Sequence, residues 1–204
     1  MSTDLLERCF PGRRAELKRQ ILATALACFN QHGIEATTIE QIREGCQASV
    51  GALYHHFGNK EGIVLALFFA ALEDQTALRD QYLSKALTAQ EGVFALVGSY
   101  IDWVDANPEW ARFQYQARYS VATGSGSVDL AERNRLRNRV LKTWFSDPSR
   151  SDIFSAFSPE VLPWLIIGPV EGYCRSWLSG RVKARPAEHR QTLAHAAWRS
   201  LGGD

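Results

Sequence analysis

Between Tyr54 and Lys60 the chain reads Tyr-His-His-Phe-Gly-Asn-Lys, which places a phenol, two imidazoles and an ammonium close together. Such a group could hold a metal, move a proton or touch an anionic partner. Neighbouring helical residues point about 100° apart, so His55 and His56 cannot both ligate one ion unaided, and no Cys, Asp or Glu stands near them at zinc-like spacing. A catalytic base needs a nucleophile and an orienting carboxylate within reach, and neither can be read beside the pair. The expectation is therefore no catalytic residue, no metal and no cofactor. What remains is contact with something large and anionic: hydroxyl, imidazole and ammonium groups all reach phosphates.

The elements that must position this group are helical. From Arg14 to His32 the apolar positions Leu17, Ile21, Leu22, Ala25, Cys28 and Phe29 form one stripe, and Gly33 ends the helix. Thr37 or Thr38 can cap a short second helix, with Glu40 or Gln41 completing a capping box and Ile39 and Ile42 facing inward. Ser49 opens a third, with Leu53 and Phe57 as its buried face. Gly58 stops it, and Asn59 caps a fourth helix starting at Lys60. Two short helices joined by a tight turn and braced by a longer preceding one describe a helix-turn-helix. The third helix leaves Val50, Gly51, Ala52, Tyr54, His55 and His56 free, and small residues near its start let it approach base edges. Charge leans the same way. Seven basic side chains lie between Arg8 and Lys60 against four acidic ones, although the whole chain carries only +1.

Across Arg14 to about Leu65 the sequence resembles the tetracycline-repressor (TetR) family. The stretches "ILATALACFNQHGIEATTIEQI" and "SVGALYHHFGNKEGI" carry the likeness, with the Tyr-x-x-Phe-x-x-Lys run present as Tyr54, Phe57 and Lys60. The resemblance implies DNA contacts from Thr38, Ser49, Val50, Ala52, Tyr54, His55, His56 and Lys60. Two positions depart from the family pattern: Arg43 stands where a small alanine is usual, and Gln47 where the turn usually has glycine. A turn without that glycine requires Gln47 to accept its backbone angles, or a shift of the turn onto Gly45.

Beyond residue 60 the pattern stays helical: 92–107, 108–121, 128–145, 159–178 with a kink at Gly168-Pro169, and 186–201. "TGSGS", residues 123–127, has linker composition and is expected to be mobile. The arginine-rich run "ERNRLRNR" reads as a solvated helix face. The chain is 46% hydrophobic and 11% aromatic, too apolar for disorder. No apolar run approaches the roughly twenty residues of a membrane span. Cys9, Cys28, Cys46 and Cys174 are too scattered for a metal site or disulfide framework, so a cytoplasmic protein with no membrane partner is expected.

The fold expected is all-α, with a helix-turn-helix DNA-binding domain over residues 1–60 and a C-terminal ligand-binding and dimerisation domain over 61–204. Trp103, Trp110, Phe113, Tyr119, Trp144 and Tyr173 supply broad faces with polar handles and are the residues expected to line a small-molecule pocket, which the resemblance also implies. The resemblance further implies a homodimer built on the last two long helices, through Leu162, Ile166, Val170, Trp177, Leu193, Ala197, Trp198 and Leu201. Together these readings give a regulator, of repressor polarity by family habit, that binds a pseudo-palindromic double-stranded operator and is released by an apolar or aromatic inducer. The competing reading is a DNA-binding dimer with no effector, its C-terminal part serving dimerisation or protein docking alone.

Overall fold

The computed structural model describes residues 2–203. Among these residues every α-helix and 3-10 turn is accounted for without a strand. In chain order the helices are α1 (Ser2–Cys9), α2 (Glu16–His32), α3 (Ile39–Cys46), α4 (Val50–Phe57), α5 (Lys60–Leu83), α6 (Ala89–Ala106), α7 (Pro108–Thr123), α8 (Ser127–Phe145), α9 (Asp152–Ser155), α10 (Leu162–Leu178) and α11 (Arg190–Ser200). They pack as two units: residues up to Asp74 together with Asn107–Ala131, and Gln75–Ala106 together with the chain from Glu132 onward. The first unit is thus larger than a helix-turn-helix alone, because α7 packs on α2 within it.

In the first unit α2 is the hub. Ile21, Leu22, Ala25, Leu26 and Phe29 are all buried, meeting Ile42 of α3, Leu53 of α4 and Phe113 of α7 in a common interior. Phe29 and Phe113 stack, ring centroids 5.7 Å apart. The α1 helix, which the residue pattern did not suggest, joins this core through Leu5 and Leu6, both fully buried. Arg8 pairs with Asp74 at 2.8 Å and fixes α1 against α5.

The turn between α3 and α4 settles how the chain manages without the usual glycine. Gln47 takes the left-handed conformation, φ 54° and ψ 23°. Gly45 stays within α3 for another reason: a Cβ there would lie 2.7 Å from Thr24 Cγ2 on α2. Gly45 buys close helix approach, and Gln47 bears the strain of the turn.

In the second unit α6 lies against α10 and α11. Val93, Val97, Ile101 and Trp103 of α6 are buried with Ile166, Val170 and Cys174 of α10 and Ala194, Ala197 and Leu201. Burial here pushes the Cys174 thiol up to about 12, with Asp105 and Glu171 adding to the effect, so this cysteine is an inert packing residue. Pro169 lies inside α10 and has no N–H for the carbonyl of Leu165. The Ser200 hydroxyl of α11 stands 3.3 Å from that carbonyl and 2.7 Å from Ala197 O, sharing its proton between them. Asp102 of α6 accepts from the Tyr82 hydroxyl of α5 and pairs with Arg190 of α11, while Arg185 grips Asp105 with two bonds of 2.9 and 2.8 Å.

A left-handed residue other than glycine costs about 1–2 kcal/mol, partly offset by the chain entropy that glycine would add. Gln47→Gly should therefore raise stability by up to about 1 kcal/mol, whereas Gly45→Ala should lower it by about 1–3 kcal/mol through overpacking. Urea melts of both variants check this; equal midpoints would contradict the assignment of strain to Gln47 and of contact to Gly45.

Candidate nucleic-acid interface

The site is built from three short-range devices. Thr38 caps α3: its hydroxyl oxygen accepts from Gln41 N at 3.2 Å, and Gln41 Oε1 accepts from Thr38 N at 2.8 Å. Thr37 beside it is buried and donates to Gly33 O at 2.7 Å, which divides the two threonines between core and surface. Ser49 caps α4, its oxygen accepting from Ala52 N at 3.1 Å. Both caps use lone pairs, so the hydroxyl protons of Thr38 and Ser49, each exposed, stay available to an outside acceptor. Asn59 caps α5 through Gly62 N at 2.8 Å.

α4 has one wet face and one dry face. Leu53 is buried, and Phe57 turns inward, where the Lys18 ammonium stands 5.8 Å from its ring centroid. Val50 and Tyr54, one turn apart, are 40% and 53% exposed, and Gly51 and His55 continue the same surface. Ala52 and His56 flank it, half-buried, and the His55 and His56 rings meet edge to face at 5.3 Å. No acidic residue lies on α4. The outer face is thus narrow, small at its start and free of negative charge, as entry to a major groove requires.

The Lys60 ammonium, expected at a phosphate, is engaged within the chain. It donates to the carbonyls of Ile34 at 2.9 Å, Glu35 at 3.0 Å and Thr37 at 2.9 Å. An ammonium has three protons, and all three are committed to the chain between α2 and α3. Lys60 is a brace that ties the start of α5 to the segment leading into α3. The segment 123–127, expected to be mobile, has a tie of its own: Ser125 donates to Glu61 Oε1 from its hydroxyl at 2.6 Å and from its backbone N at 3.2 Å. No sequence pattern signalled either bond, since both join segments far apart in the chain.

The family model for bacterial regulatory proteins of the tetR family matches residues 21–67. A transcriptional repressor of Rhodococcus jostii, KstR2, is 31% identical over 148 residues, 70% of each chain. The chain belongs to the tetR family. That membership makes it a DNA-binding transcription regulator, and not an enzyme. Two solved tetR-type structures share its fold. One from Marinobacter aquaeolei has a TM-score of 0.76 at 20% identity, covering 92% of this chain and 96% of that one. The other, FadR of Bacillus subtilis in complex with stearoyl-CoA, has a TM-score of 0.68 at 14% identity, covering 88% and 97%.

The remaining residues of this tetR-family chain divide as follows. Of the aromatics, Trp110, Phe113 and Tyr119 belong to the first unit, and Trp103, Trp144 and Tyr173 to the second. Trp103, Trp110 and Phe113 are core residues, fully buried, while Tyr119 is 79% exposed and lines no enclosed space. Trp110 is unusual in that its buried Nε1 has no hydrogen-bond partner. Trp144 lies under the Arg150 guanidinium, 4.5 Å from its ring, and against Phe154; its ring fills the place of a Cβ at Gly92. The Tyr173 hydroxyl donates to Ala184 O at 3.1 Å. The expected dimer stripe also separates: Leu162, Ile166, Val170, Ala197 and Leu201 are buried inside the second unit, because the apolar stripe of α10 and α11 turns toward α6. Trp177, Leu193 and Trp198 are half-buried. The outer side of α10 carries Trp164, 62% exposed, Val161, 47% exposed, and Gly168 and Gly172, at which an added Cβ would meet nothing within 4 Å. Among the described residues no three His, Cys, Asp or Glu side chains gather as a metal would need, and no helix is long and apolar enough to cross a membrane.

Removing the Lys60 brace leaves three carbonyls without their charged donor, so Lys60→Ala should cost about 1.5–3 kcal/mol of stability. Its effect on DNA should come through that loss: affinity falls near the melting temperature, but the slope of log affinity against log salt stays as in the wild type. A slope reduced by about one with stability unchanged would mean that Lys60 neutralises a phosphate after all.

Proposed function

We propose that the protein acts as a homodimer that sets two copies of α4 into successive major grooves of a two-fold operator, and that an apolar or aromatic small molecule bound by its C-terminal part releases it. The bare outer face of α4, Val50 to His55, is the observation that carries the DNA half of this reading. Every anchor of that helix (Leu53, Phe57, the Ser49 cap) lies elsewhere, so the face can be given to a partner at no cost to the fold. On this reading Val50 and Ala52 meet thymine methyl groups, the hydroxyls of Thr38, Ser49 and Tyr54 donate to phosphates, and His55 and His56 supply the remaining polar contacts. Repressor polarity is supported by the relatives, which include KstR2.

A second copy fits the outer side of α10. Trp164 and Val161 give it apolar area, and Gly168 and Gly172 let another helix approach closely. A ligand-responsive C-terminal part is supported by the stearoyl-CoA held in the FadR complex. The tight packing of Trp103 and Phe113 and the exposure of Tyr119 favour the second reading, a DNA-binding dimer without an effector.

Selection of operators from random double-stranded DNA with the full-length protein tests the DNA half. Val50→Glu should lower affinity for the selected site by about a hundredfold or more, placing a carboxylate against the bases and phosphates, without a change in melting temperature. Unchanged affinity would remove α4 from the interface. Trp164→Glu should convert dimer to monomer in sedimentation and abolish operator binding together; a wild-type monomer at micromolar concentration would end the dimer reading.

A further inference from the structure

The second unit contains a charged side chain with one donor idle. Arg79, on α5, is 7% exposed. Its Nε and Nη2 donate to Asp80 Oδ1 at 2.8 and 2.6 Å, and Nη2 also donates to the carbonyl of Arg137 on α8 at 3.1 Å. Nη1 is out of solvent and has no hydrogen-bond partner. Native folds pair the great majority of buried polar atoms, and an unpaired donor on a charged group is the costliest exception. Asp80 explains the Nε–Nη2 edge alone. It is itself one-third exposed and grips through a single oxygen, leaving the Nη1 end of the guanidinium plane open.

The chemistry that complements that open end is an oxyanion, whose lone pairs match planar guanidinium donors. A water would satisfy one N–H but would add no charge to offset the guanidinium. The wall beside Arg79 suits entry. The stretch of α8 whose Arg137 carbonyl it holds buries little, Leu136, Asn138, Arg139 and Val140 beside it being exposed, so this stretch can part from Arg79 without opening a packed core.

We infer that Arg79 anchors the carboxylate or phosphate of a small molecule taken up by the second unit, with Nη1 donating to its oxygen. This rests on the ligand-responsive reading above and narrows it: the effector pairs an apolar body with an oxyanion.

Matched compounds test the idea on the full-length protein: decanoate, decyl phosphate and decanol, and 2-naphthoate, 2-naphthyl phosphate and 2-naphthol. Binding is read by the shift in melting temperature and by tryptophan quenching, and operator affinity is measured alongside. The oxyanion members should bind saturably and more tightly than their neutral partners, with the carboxylate and phosphate arms telling the two head groups apart. Arg79→Met should weaken the oxyanions by about tenfold or more while leaving the neutral compounds unchanged, and should melt no lower than the wild type without ligand. If Arg79→Met does not fold, Arg79→Lys keeps the charge, loses the fork and should still weaken the oxyanions. Neutral compounds that bind as tightly as oxyanions and lower operator affinity would overturn the anchor and leave the ligand-responsive reading standing. Oxyanion affinity retained in the Arg79 variants, or no oxyanion binding at all, would also overturn it; only the failure of neutral and charged compounds alike to affect operator binding would count against the broader reading.

Discussion

The DNA-reading part of this protein depends on one ammonium. Lys60 opens α5 and donates to three carbonyls in the connection between α2 and α3. Backbone carbonyls in a connection have no ladder to satisfy them, and a single charged donor replaces what would otherwise be three separate arrangements. The bonds close a loop of structure from the end of α2, through α3 and α4, back to the start of α5. Within that loop the Thr38 and Ser49 caps fix where each helix begins, and Leu53 fixes which way α4 faces. The exposed stripe Val50–Tyr54 is the residue of these constraints, left outside because everything else on the helix is spoken for.

Much of this was legible in the chain because it is local. Capping boxes, glycine stops and 3.6-residue stripes span four to eight positions, and Thr38, Ser49, Asn59 and Leu53 occupy the places that such patterns assign to them. The resemblance to the tetR family added the expectation that α4 is the reading helix. What the sequence did not show was set by distance along the chain or by a choice between faces. Lys60 sits where a phosphate contact is plausible, and nothing near it in sequence announces the carbonyls of Ile34 and Thr37. The linker-like composition of residues 123–127 gave no hint of Glu61, more than sixty residues upstream.

The C-terminal helices show the other limit. Leu162, Ile166, Val170 and Ala197 form a stripe that periodicity finds easily, but a stripe states only that one face is covered, not what covers it. Here α6 covers it, and the outer side of α10 is marked by glycines and a lone tryptophan, a signal that hydrophobic periodicity does not register. Similarly, large aromatics mark burial without distinguishing a packed interior from a lined cavity: Trp103 and Phe113 are fully enclosed, while Tyr119 stands in solvent. The short α1 escaped notice because its eight residues offer just two apolar contacts, Leu5 and Leu6.

α8 carries a consequence for how the molecule breathes. It has no buried side chain, and Leu136 and Val140 remain nearly half exposed. Its ties include the Glu132–Arg135 pair on its own surface and the bond from Arg79 to the Arg137 carbonyl. Its end is pinned, with Trp144 and Phe145 packed on Phe154, but the exposed turns before it uncover little apolar area when they lift and open at a fraction of the free energy that unfolds the whole chain. Amide hydrogens along α8 therefore trade with solvent deuterium well ahead of those in α2 or α6, whose stripes lie in the two cores. Each unit thus has its stiff helix, α2 in one and α6 in the other, while the exposed turns of α8 are soft, and these differ in timescale without any difference in secondary structure.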